Sequence, residues 1–99
     1  HAARESLESA EAMLRTGDWV GARALFSMLD EGELVAADQP RHRLLAAELA
    51  IRSGELDEAA RLLLGLDARR LPDPLDARFA QARLAGASGA PAAAARSLM

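Results

Sequence analysis

The chain has no cysteine, lysine, asparagine or tyrosine. Without cysteine there is no disulfide framework and no thiol chemistry. The absence assigns no redox compartment, because periplasmic proteins often lack cysteine too. Without lysine there is no Gly-x-x-x-x-Gly-Lys phosphate loop. The glycine-rich stretch Gly86-Ala87-Ser88-Gly89 follows a predicted helix and reads as a turn. Histidine is nearly absent. His1 is terminal, and His42 lies between Arg41 and Arg43, whose positive charge opposes a bound cation, so no metal site is expected. Ser6, Ser9, Ser27, Ser53, Ser88 and Ser97 have no histidine arranged near them, which leaves a hydrolase triad unsupported. No apolar run approaches the ~18 residues of a membrane span. No charged-then-apolar signal segment opens the chain. The net charge of −3 comes from interspersed signs, so the basic face of a nucleic-acid binder is missing. The expectation is a protein that is not an enzyme, carries no cofactor and binds no nucleic acid.

What remains is mostly alanine, leucine, arginine and glutamate, a mixture that favours helix. Apolar residues make up 51% of the 99, enough for the core of one domain. A phrase of the form Gly-x-x-x-x-Ala-x-x-x-large-apolar occurs three times. It runs through Gly17, Ala22 and Phe26, then Gly54, Ala59 and Leu63, then Gly89, Ala94 and Leu98, with glycines 37 and 35 residues apart. An alanine stands seven residues before each glycine, at Ala10, Ala47 and Ala82. A period in the mid-thirties is close to the ~34 residues of a tetratricopeptide repeat. Small residues on both helices of a hairpin let the helices approach closely. The predicted fold is all-α, a short right-handed TPR-like solenoid of about three antiparallel helical hairpins over residues 1–99.

The elements follow from local signals. Leu7, Ala10 and Leu14 mark the buried stripe of a first helix over about 3–15. Gly17 suits the left-handed end of that helix, and Asp18 caps a second over about 19–29 that buries Ala22, Leu25, Phe26 and Leu29. Trp19 packs between consecutive helices rather than forming a ligand platform. Asp38-Gln39-Pro40 opens a third helix to about Arg52, with Leu44, Ala47, Ala50 and Ile51 facing inward. A fourth covers about 55–66, and a linker over 67–72 has room for a helical turn. Asp73-Pro74 opens a fifth to about Ala87, and Pro91 starts a sixth. The carboxylate clusters Asp30/Glu31/Glu33 and Asp57/Glu58 read as solvated loop and helix-start charge. The chain ends inside a predicted helix, so it reads as an excerpt of a longer protein.

In such a solenoid the first helix of each hairpin lines the concave face. That register assigns Arg4, Leu7, Glu11 and Arg15, then Arg41, Leu44, Glu48 and Arg52, then Asp76, Phe79 and Arg83 to a candidate partner-binding face. The plainer reading of Glu11–Arg15 and Glu48–Arg52 is an ordinary i,i+4 surface pair, each contributing a few tenths of a kcal/mol. The mixed signs do not resemble a clamp dedicated to an acidic peptide terminus.

Several segments carry a more specific resemblance. They are Ala22-Arg23-Ala24-Leu25-Phe26-Ser27-Met28-Leu29, a loop ending in Asp38-Gln39-Pro40-Arg41, Leu44-Leu45-Ala46-Ala47-Glu48-Leu49-Ala50, Ala59-Ala60-Arg61-Leu62-Leu63-Leu64-Gly65-Leu66, Leu71-Pro72, and Ala77-Arg78-Phe79-Ala80-Gln81-Ala82-Arg83. In this order they resemble the N-terminal helical domain of the LpoA (LppC) family of penicillin-binding-protein activator lipoproteins. The resemblance implies a regulatory scaffold on the periplasmic side of the outer membrane, anchored by lipid. Such a scaffold stimulates a class A penicillin-binding protein in peptidoglycan synthesis, mainly through a second domain. Its implied partners are that protein and peptidoglycan. The alternative is a generic TPR protein-interaction module of a cytoplasmic adaptor or transcriptional regulator.

Overall fold

Two glycines set the sharp turns of the chain. Gly17 and Gly54 adopt φ of +91° and +81°, a region that an L side chain rarely enters. Each ends a helix in the same way. Asp18 N–H donates to the Met13 carbonyl at 2.8 Å, and Gly17 N–H to the Leu14 carbonyl at 3.1 Å. Glu55 and Gly54 repeat the pair on Ala50 and Ile51, at 2.8 and 3.2 Å. This is the Schellman arrangement, which satisfies the last carbonyls of a helix while turning the chain. The computed structural model describes residues 2–88, and among them there are five α-helices and no strand. They are α1 (Ala2–Arg15), α2 (Trp19–Ser27), α3 (Gln39–Arg52), α4 (Leu56–Leu64) and α5 (Leu75–Ala87). Short 3-10 turns lie at Glu31–Glu33, Ala36–Asp38 and Ala68–Arg70. The predicted sixth helix, with Gly89, Ala94 and Leu98, lies outside the described residues.

The helices pair as the small residues require. α1 packs on α2 and α3 on α4, while α5 lies against both α3 and α4. Ala10, Ala22, Ala47 and Ala59 are all buried at these contacts. Ala82 is exposed, and its expected counterpart Ala94 is not among the described residues. The first core cluster joins Leu7, Ala10, Leu14, Ala22, Leu34, Leu45 and Leu49, with Trp19 and Phe26 packed against it. The second joins Ala47, Leu63 and Ala80, flanked by Leu44, Leu62, Leu66 and Leu84. Together the clusters show α3 to be buried on two sides. His42, Leu45 and Leu49 form one stripe at i, i+3, i+7, and Ala47 belongs to the other. The single inward stripe expected from the sequence captured Ala47 and Ala50 but missed Leu45 and Leu49.

Polar contacts fix the ends. Asp18 Oδ1 accepts the Gly21 N–H at 2.9 Å, as expected of a cap. Asp73 Oδ1 accepts the Leu75 N–H at 3.0 Å at the start of α5. Asp38 departs from expectation. Pro40 sits in the first turn of α3 as predicted, but the Asp38 side chain makes no capping bond. It is 5% exposed and faces Arg4 and Arg41 instead. A buried carboxylate next to two guanidiniums gains more from them than from one backbone donor. Arg43 closes the other end of the second hairpin, its Nε donating to the Leu62 carbonyl at 2.7 Å. Arg23 of α2 donates to Ser53 Oγ and stands 3.9 Å from Glu55, tying α2 to the turn after α3.

Candidate functional site

α1, α3 and α5 together line a groove of about 370 Å³. Nine of the expected face residues meet there: Glu11, Arg15, Arg41, Leu44, Glu48, Arg52, Asp76, Phe79 and Arg83. Leu14 and Leu45, which were not expected on this face, join them. Two expected residues do not. Leu7 is 0% exposed in the first core cluster. Its side chain is wholly covered by that cluster, so it offers the groove no surface. Arg4 lines a separate small depression with Glu33, Leu34, Val35 and Asp38, its Nε 3.7 Å from Asp38 Oδ2.

The charges of the groove pair between helices, not along them. Glu11 of α1 accepts two hydrogen bonds from Arg41 of α3, at 3.2 Å from Nε and 2.5 Å from Nη2. Both side chains are about four-fifths buried or more, which strengthens the pair. Arg41 also stands 3.7 Å from Asp38. The Glu11 hydrogen bond holds the Arg41 pKa above its ordinary value despite partial burial, so the guanidinium is charged throughout the working range. Glu48 of α3 likewise accepts from Nε and Nη2 of Arg83 on α5. The i,i+4 surface pairs Glu11–Arg15 and Glu48–Arg52 are therefore not formed. Each glutamate points toward the neighbouring helix, where a fork of donors from a partly buried arginine is better placed than an arginine on its own exposed face.

Phe79 is 54% exposed in this groove, beside Leu44 and Leu45. The other two aromatics behave differently. Trp19 packs against the first core cluster, as expected, and Phe26 does the same. Phe26 also stacks on His42, with ring centroids 4.6 Å apart. His42 is buried and its Nε2 has no hydrogen-bond partner. Burial lowers its pKa, while the charges of Glu31 and Asp30 partly oppose the shift. The expected solvated carboxylates stay exposed. Asp30 caps a 3-10 turn by accepting the Gly32 N–H, and Glu58 pairs with Arg61 at 2.8 Å.

No family model, curated protein or solved structure matches this chain. Function must be read from the groove itself. Its lining is three carboxylates, four arginines, three leucines and Phe79. Leu14, Leu44, Leu45 and Phe79 line it beside the interhelical ion pairs. An apolar strip framed by fixed charges is suited to holding a side chain and orienting it. Among the described residues no helix is long and apolar enough to cross a membrane.

Proposed function

We propose that this chain is a non-enzymatic scaffold domain, a short TPR-type stack of helical hairpins whose α1–α3–α5 groove holds a segment of a protein partner. The observation that carries this reading is Phe79. In a chain with three aromatics, one is left half exposed in a groove while the other two pack against the core. Burying that ring in a partner removes a large apolar surface from water at the centre of a contact, where hot spots lie. The segments resembling LpoA lipoproteins nominate the partner. In that reading the domain belongs to an outer-membrane lipoprotein that activates a class A penicillin-binding protein in peptidoglycan synthesis. A TPR module of a cytoplasmic adaptor or regulator is the competing placement.

Calorimetric titration of this chain, and of its parent protein, with the purified periplasmic region of a class A penicillin-binding protein tests both levels. Phe79→Ser should weaken the association about tenfold or more, which corresponds to ~1.4 kcal/mol. Leu64→Ser, on an 88%-exposed residue of α4 that is not in the groove, should leave it unchanged. Association that ignores Phe79 and follows Leu64 would put the working face elsewhere. No association even with the parent would count against the envelope reading.

A further inference from the structure

The interhelical pairing changes what charge the groove offers. Glu11 is neutralised by Arg41, and Glu48 by Arg83. Both acids are thereby withdrawn from any ligand. Arg15 and Arg52 are exposed and line the same groove, and neither has an ion-pair partner among the described residues. They are the last residues of α1 and α3, the same place in two successive hairpins. The carbonyl ends of those helices carry partial negative charge, which favours a cation there and offsets only part of its field. Asp76, on the α5 side, is the only unpaired acid in the lining among the described residues. The groove is mixed by sequence but polar in effect, with two free guanidiniums on its α1–α3 side beside Leu44.

We propose that the groove recognises an acidic–apolar peptide segment. Its carboxylate sits between Arg15 and Arg52, and its apolar side chain lies against Leu44 and Phe79. The inference rests on the reading of the groove as the binding face and specifies the ligand's chemistry. Guanidinium suits this task because its planar fork matches a carboxylate with two charge-assisted hydrogen bonds. Asp76 repels a second acid on the α5 side. A uniform polyanion is therefore disfavoured, and one acid flanked by apolar residues fits best.

The test is selection of a random peptide display library on the full chain, followed by fluorescence anisotropy with the selected peptides. Selected sequences should combine Asp or Glu with Leu, Ile or Phe. Their binding should weaken about tenfold or more in an Arg15→Gln/Arg52→Gln double variant. It should also weaken as salt rises from 50 to 300 mM, within the range where exposed charges become screened. Both arginines are exposed, and circular dichroism should show the double variant folded. Selected peptides that are neutral or basic, or that bind the double variant unchanged, would overturn the inference. If those same peptides are still lost on Phe79→Ser, the groove survives as the binding face and only the ligand chemistry is wrong. Peptides that ignore Phe79 as well, or a failure to select any, would overturn both.

Discussion

Glu48 Oε1 accepts both Nε and Nη2 of Arg83, joining α3 to α5 across the groove. Arg83 is 46% exposed, so solvent screens the pair and its worth is modest. A double-mutant cycle on Glu48→Gln and Arg83→Gln should give a coupling of about 0.5–1 kcal/mol. The corresponding cycle on Glu48 and Arg52 should give none. A coupling found for Arg52 and not for Arg83 would mean that the glutamate pairs along its own helix.

The Glu11–Arg41 pair lies deeper and shares Arg41 with the buried Asp38. Arg41→Gln therefore strips Glu11 of its cation and leaves the buried Asp38 with Arg4 alone. The expected loss is about 1–3 kcal/mol, larger than for Arg83→Gln, by urea denaturation. Equal losses for the two arginines would contradict the burial difference between the pairs.

Ala47 is 0% exposed between α3, α4 and α5. Ala47→Leu adds three heavy atoms where none fit and should cost on the order of 1–3 kcal/mol. For a chain of this size that lowers the melting midpoint by roughly 4–8 °C per kcal/mol. An unchanged midpoint would mean that this alanine does not set the helix spacing.

Gly54→Ala should cost about 1–2 kcal/mol, because the left-handed φ of +81° forces Cβ against its own backbone although nothing else lies within 4 Å. Gly54→Asn should recover part of that loss. Equal stability of the alanine variant by thermal melting would show that the turn adopts another conformation.

His42 gives the fold a pH dependence of definite sign. Burial lowers its folded pKa below the ordinary 6.5, so the native state prefers the neutral ring. Stability from this group is complete above about pH 6.5 and declines as pH falls through that value, by at most ~1.4 kcal/mol per pH unit. The charges of Glu31 and Asp30 soften the decline. The melting midpoint should drop between pH 7.5 and 5.5, and His42→Leu should flatten that drop. An unchanged slope in the variant would show that His42 titrates as if exposed.

What could be read from the sequence was what local geometry dictates. Gly17 and Gly54 were legible because a left-handed turn has few solutions, and Ala10, Ala22, Ala47 and Ala59 because close helix packing needs small residues. The limits of the five described helices fell within about two residues, and α2 and α4 each end two residues early. Most of the groove was also legible, since Glu11, Arg41, Leu44, Glu48, Phe79 and Arg83 follow from helical period alone. Pairing was not. Glu11 has Arg15 one turn away and Arg41 thirty residues away, and only the approach of α1 to α3 decides between them. Asp38 read as a cap because aspartate before proline usually is one, and its burial beside Arg4 and Arg41 depends on tertiary packing. Leu7 fitted both the buried stripe and the face register, and the stripe prevailed because tertiary packing covers it completely.

If the α1–α3–α5 groove is the working face, a ligand must perturb it. Amide chemical-shift mapping, with a bound peptide or partner titrated into the ¹⁵N-labelled chain, tests this most directly. Shifts should concentrate at Leu44, Leu45, Glu48, Phe79 and Arg83, with Val20, Met28 and Leu64 undisturbed. Shifts concentrated at those three exposed apolar residues of the first two hairpins, with Phe79 silent, would contradict it.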